Sequence, residues 1–78
     1  MINAELARAF NRIADLMEIG GQAGFRVNSY RRAARILKSH PDDIAVVAAE
    51  NGLTKLPGIG KGIAEKIVAR KGDYVLAV

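Results

Sequence analysis

The stretch LTKLPGIGKGIAEKI, Leu53 to Ile67, sets three glycines, three lysines and one proline among branched aliphatics. Two phosphate-binding loops can be excluded at once. A P-loop requires G-x-x-x-x-G-K-[ST], but Gly60-Lys61 is followed by Gly62 and the position five before Gly60 is Lys55. A dinucleotide fingerprint requires a preceding β-strand, and none is predicted here. What remains is a tight turn between two helices. Pro57 stops one helix, Gly58 and Gly60 are expected to supply positive φ, and a new helix starts at Gly60 or Lys61. Ile59, between the glycines, can enter the core and fix the turn. The first N–H groups of the new helix have no intrahelical acceptor, and Lys61 adds charge to them. The turn therefore offers an anion site built from backbone.

Outward from the hairpin, the chain reads as helices. Asn3 is an expected N-cap, followed at helical spacing by Leu6, Phe10, Ile13 and Met17, and Gly20-Gly21 closes that helix. A second helix is predicted from Val27 to Lys38, ahead of Pro41, with Tyr30, Ala33, Ala34 and Leu37 on its apolar side. Asn28, Arg31, Arg35 and Lys38 form a separate stripe, whereas Arg32 reads as a solvated side chain. Asp42 and Asp43 open a third helix, where carboxylates suit the positive end of the dipole. Ile44, Val47 and Ala48 face inward, and Asn51-Gly52 ends it. A short helical turn is expected at 53–56. The last helix runs to Arg70, with Ile63, Ala64, Ile67 and Val68 on its packed side. His40, a lone histidine at a helix end, carries no functional claim. The tail 72–78 reads as truncated or disordered. The predicted fold is all-α: a compact bundle of four to five short helices, one domain over 1–78, with the hairpin at 53–70.

Composition and charge narrow the partner. Seventy-eight residues are near the lower limit for a self-sufficient core. There is no cysteine, so disulfides and thiolate metal sites are excluded. No apolar run reaches the roughly 20 residues that span a bilayer, and no membrane partner is expected. The net charge of +4 is uneven. Residues 1–25 carry two basic and three acidic side chains, and residues 26–40 carry five basic and none acidic. Residues 41–52 carry three acidic and none basic, and residues 53–78 carry five basic and two acidic. Two basic blocks beside a glycine-rich turn point to a polyanion. Contacts to a phosphate-bearing partner are accordingly expected from Gly58, Gly60, Lys61 and Gly62 at the hairpin, from Lys55, and from Arg31, Arg35 and Lys38 on the second helix.

LPGIGKGIAEKI resembles the helix-hairpin-helix motif. Joined to IADLMEI and FRVNSYRRAARIL, it is similar to the small N-terminal lyase-type domain of family X DNA polymerases, especially bacterial ones, over about residues 3–70. The resemblance implies a four-helix domain that binds DNA at gaps or near a 5′-phosphate, opposite a single-stranded template. It implies Arg26, Tyr30 and Glu65 at the sugar-phosphate pocket. It also implies Lys66 as the amine that attacks an abasic sugar in lyase-active members. A further basic residue of eukaryotic members falls on Gly62. The carbonyls of Thr54, Leu56 and Ile59 correspond to those that hold a monovalent cation, Na+ or K+, when DNA is bound; no other cofactor is implied. No acidic cluster for polymerase magnesium is present. The expected protein is a cytoplasmic, nucleoid-associated monomer. Two alternatives stand beside DNA binding: a 5′-deoxyribose-phosphate lyase using Lys66, and a helical protein-interaction domain.

Overall fold

The computed structural model describes the backbone of residues 2–75 and the side chains of residues 2–70. Four α-helices are present among the described residues: α1 Asn3–Ile19, α2 Gly24–Ser39, α3 Ile44–Ala49 and α4 Lys61–Val75. A 3₁₀ turn, Leu53–Lys55, lies between α3 and α4. No strand occurs among the described residues, so the chain is all-α as predicted. No described helix is long and apolar enough to cross a membrane.

The ends of α1 and α3 use the same device. At α1, Gln22 N–H donates to Met17 O at 2.9 Å and Gly21 N–H to Glu18 O at 3.1 Å, with Gly21 at φ 77°. At α3, Gly52 N–H donates to Val47 O at 2.9 Å and Asn51 N–H to Ala48 O at 3.0 Å. Both are Schellman closures, which satisfy the last helical carbonyls through one left-handed residue. In α3 that residue is Asn51, at φ 57°, rather than the adjacent glycine. The closure after α1 turns the chain back, so α2 runs antiparallel to α1, with the Phe10 and Tyr30 rings 5.5 Å apart between them.

Leu6, Phe10, Leu37, Ile44 and Ile67 are fully buried and draw on all four helices. Each such side chain stabilises the fold by about 1.5–3 kcal/mol. Ile59 joins this core from the hairpin, as its place between two glycines predicts. Asp43 caps α3 by accepting from Ala45 N–H at 3.0 Å, a contact of about 1 kcal/mol.

Several expectations are corrected. Ile2, not Asn3, occupies the cap position of α1, and Asn3 is 3 % exposed within the first turn. Its side chain serves another element. Asn3 Nδ2 donates to Asp42 O at 2.8 Å and His40 O at 3.3 Å, while Asn3 Oδ1 accepts from Ile44 N–H at 2.9 Å. The second helix, α2, begins at Gly24, three residues ahead of the predicted Val27. Val68 is 50 % exposed rather than packed. Finally, α4 does not stop at Arg70; its helical backbone continues to Val75, through the first part of the 72–78 tail. Residues 76–78 lie outside the described residues.

Candidate nucleic-acid interface

The turn between the 3₁₀ segment and α4 is built by local hydrogen bonds. Leu56 N–H donates to Leu53 O and Ile59 N–H to Leu56 O, both at 3.1 Å. Gly60 O then accepts from Ala64 N–H at 2.9 Å, which begins α4. Gly60 has no side chain to cap the N–H groups of Lys61, Gly62 and Ile63, which have no acceptor within their own helix, and Gly60, Lys61 and Gly62 are exposed.

Only one of the two turn glycines is needed for its backbone. Gly58 sits at φ 90°, whereas Gly60 does not adopt a positive φ, contrary to expectation. A Cβ on Gly58 would also lie 2.7 Å from Ile36 Cδ1 and 3.2 Å from Arg32 Cδ. The turn therefore rests directly on α2, with no side chain of its own between them. A Cβ on Gly60 or Gly62 would meet nothing within 4 Å. At those positions glycine leaves the surface open.

A cleft of about 440 Å³ opens where this turn meets the start of α2. Its walls include Arg26 and Tyr30 from α2, Gly58, Gly60 and Gly62 from the hairpin, and Glu65 and Lys66 from α4. Seven of the expected residues thus converge from segments some thirty positions apart. Tyr30 is half-buried, its ring supported by Phe10, and Lys66 is exposed at the cleft wall. Phe25 and Ser29 line the same cleft and were not anticipated. Phe25 is 75 % exposed, and the signal for it was its place immediately before Arg26.

Other expected residues lie elsewhere. Lys61 and Thr54 border a second cleft, about 390 Å³, on the opposite flank of the α4 N-terminus, and Glu65 lies between the two. Arg31 is turned toward α1, with its guanidinium 2.9 Å from Asp15 and 3.7 Å from Glu18. By helical geometry Arg35 and Lys38 share that flank, away from the hairpin. Arg32, read as merely solvated, is the arginine whose stem lies against Gly58. Lys55 is exposed at the end of the 3₁₀ turn.

The implied cation can be tested against its donors. Thr54, Leu56 and Ile59 offer three neutral backbone oxygens, a hard donor set suited to a singly charged ion. Leu56 O already accepts from Ile59 N–H, which leaves it a second lone pair. The donor set fits.

No curated protein and no solved structure matches the chain. A helix-hairpin-helix domain model matches residues 1–74, almost the whole chain and the whole of the hairpin geometry described above. The chain belongs to the helix-hairpin-helix domain family, and the partner which that membership supports is DNA, bound without regard to sequence.

Proposed function

We propose that this chain is the N-terminal domain of a family X DNA polymerase, gripping the DNA backbone at gaps and 5′-phosphate ends during repair in the bacterial cytoplasm. The observation that carries this reading is the cleft joining Arg26 and Tyr30 to the hairpin glycines and Lys66. A strand end, unlike continuous duplex, can enter such a recess. The N–H groups at the start of α4 donate to a phosphate oxygen, and Arg26 supplies a second charge from α2. The hairpin glycines let the phosphate approach the backbone closely. Held by the carbonyls of Thr54, Leu56 and Ile59, Na+ or K+ would supply positive charge to a neighbouring phosphate oxygen. None of these contacts reads a base edge, so binding is indifferent to sequence.

Competition anisotropy tests the reading. A gapped duplex with a downstream 5′-phosphate should displace a labelled probe at lower concentration than the same gap without the phosphate, and an intact duplex should be weakest. Equal potency of all three would remove the end-specific reading and leave general DNA binding.

The position of Lys66 in the same cleft favours a second reading, lyase chemistry. Lys66 Nζ attacks the aldehyde carbon of an opened abasic sugar and water leaves, giving an imine. A base then takes a proton from the adjacent carbon. Glu65 is the carboxylate lining the cleft. The electron pair moves into the chain as the C3′–O bond breaks and the phosphate departs. Water finally hydrolyses the imine and releases Lys66.

A further inference from the structure

A third cleft, about 550 Å³, lies between α1 and α4 and is lined by Arg8, Arg12 and Arg70, with Glu5 and the apolar Ile13 and Leu16. Arg8 and Arg12 are one turn apart on α1, and both are exposed. Among the described residues, three arginines against one carboxylate leave the lining at +2. Arg8 approaches Glu5 only to 3.7 Å, an interaction of small energy for an exposed guanidinium, and Glu5 and Arg70 each make a further contact. The first 25 residues are net acidic as a block, which hid this cluster from a reading by segments; α1 sorts Arg8 and Arg12 onto one face while Asp15 and Glu18 turn to Arg31.

The cleft continues the hairpin surface. Lys66 and Arg70 are four residues apart on α4, so their side chains are neighbours on one face, about 6 Å between Cβ atoms. Lys66 lines the hairpin cleft and Arg70 lines the α1–α4 cleft. A row of cations therefore runs from the hairpin along α4 and across to α1. We infer that this arginine-lined cleft is a second phosphate-binding segment, which takes the backbone of the same DNA strand after it leaves the hairpin.

Charge and continuity identify the occupant. DNA held at Lys66 is a polymer, and its next phosphates must lie within reach of that point, where Arg70 stands. Guanidinium groups match phosphate oxygens in a two-point geometry that an ammonium cannot offer. Ile13 and Leu16 give an apolar floor for deoxyribose. The inference rests on the hairpin being the primary DNA contact, and the test separates the two.

Binding of single strands of about 6 and about 16 nucleotides would be measured by fluorescence anisotropy over a range of salt. Arg8→Ala with Arg12→Ala should weaken the long strand about fivefold to twentyfold, the order of two exposed ion pairs. It should reduce the salt slope by about 2 and leave the short strand unchanged. Glu5→Gln should tighten the long strand, a gain that misfolding cannot imitate. Lys61→Ala and Lys66→Ala should weaken both strands. If those hairpin variants weaken binding while the arginine and Glu5 variants leave the long strand and its slope unaltered, the second segment is overturned and the hairpin stands. If the hairpin variants are inert, both fall. Circular dichroism of each variant confirms the helical fold.

Discussion

Asn3 and Ile44, forty-one positions apart, are joined by one buried hydrogen bond: Asn3 Oδ1 accepts from the Ile44 N–H at 2.9 Å. With the same amide donating to Asp42 O, the first turn of α1 fixes the entry to α3. Asn3→Ala would strand the buried Ile44 N–H and remove a donor from the part-buried Asp42 carbonyl. It should destabilise the protein by about 1–3 kcal/mol, the cost of one unsatisfied buried backbone group. Asn3→Asp keeps the acceptor for Ile44 but turns a second oxygen toward the Asp42 carbonyl, so it should also destabilise. Urea denaturation measures both, and a loss below about 0.5 kcal/mol for the alanine variant would contradict the role given to Asn3.

Gly58 and Gly60 should respond differently to the same change. Gly58→Ala places a Cβ at φ 90° and 2.7 Å from Ile36 Cδ1, costing about 2–4 kcal/mol from strain and overpacking together. Gly60→Ala meets no neighbour and should cost under about 1 kcal/mol. Adding Ile36→Val to Gly58→Ala removes the clashing methyl and should recover part of the loss, the φ strain remaining. Thermal melts of the four proteins decide it.

DNA affinity should fall with salt at a slope of about −3 to −4 on logarithmic axes, as for about four neutralised phosphates. Lys61→Ala should flatten that slope by about 1. Arg31→Ala should change it far less, because Asp15 and Glu18 already hold that guanidinium. A larger effect from Arg31 than from Lys61 would place the DNA on the wrong side of α2.

Lyase chemistry predicts a covalent product. With a 5′-abasic end and borohydride, the imine at Lys66 is reduced to a stable adduct, seen as a shifted band. Lys66→Ala should abolish most of it while keeping affinity for intact gapped DNA within several-fold. Gly62 has open space around it, so Gly62→Lys can restore the basic residue absent at that position and should speed trapping. No adduct from either the wild type or Gly62→Lys would leave a DNA clamp without chemistry.

The hairpin was legible because its determinants are local. Pro57, the glycines and Ile59 specify the turn within a few residues, and Asp43 announces α3 in the same way. The role of Asn3 was not legible, since its partners lie 37 to 41 positions away. That Arg31 pairs with α1 while Arg32 lies against Gly58 was not legible for a related reason. Helical spacing sorts α2 into stripes but does not say which flank meets the hairpin. Only the packing of Ile36 and Arg32 against Gly58 decides that. Likewise, the tail 72–78 read as truncated or disordered, although a single glycine, Gly72, costs a helix only about 1 kcal/mol, and the backbone of α4 runs past it.

The bare α-carbon of Gly58 gives Ile36 a part in binding that its place on α2, away from the cleft, conceals. With no side chain between turn and helix, the turn packs directly on Ile36 and Arg32. On the proposed function residue 36 acts as a spacer: a longer or shorter side chain there would shift the hairpin against α2, and with it the slot offered to a strand end, without touching a single group that meets the DNA.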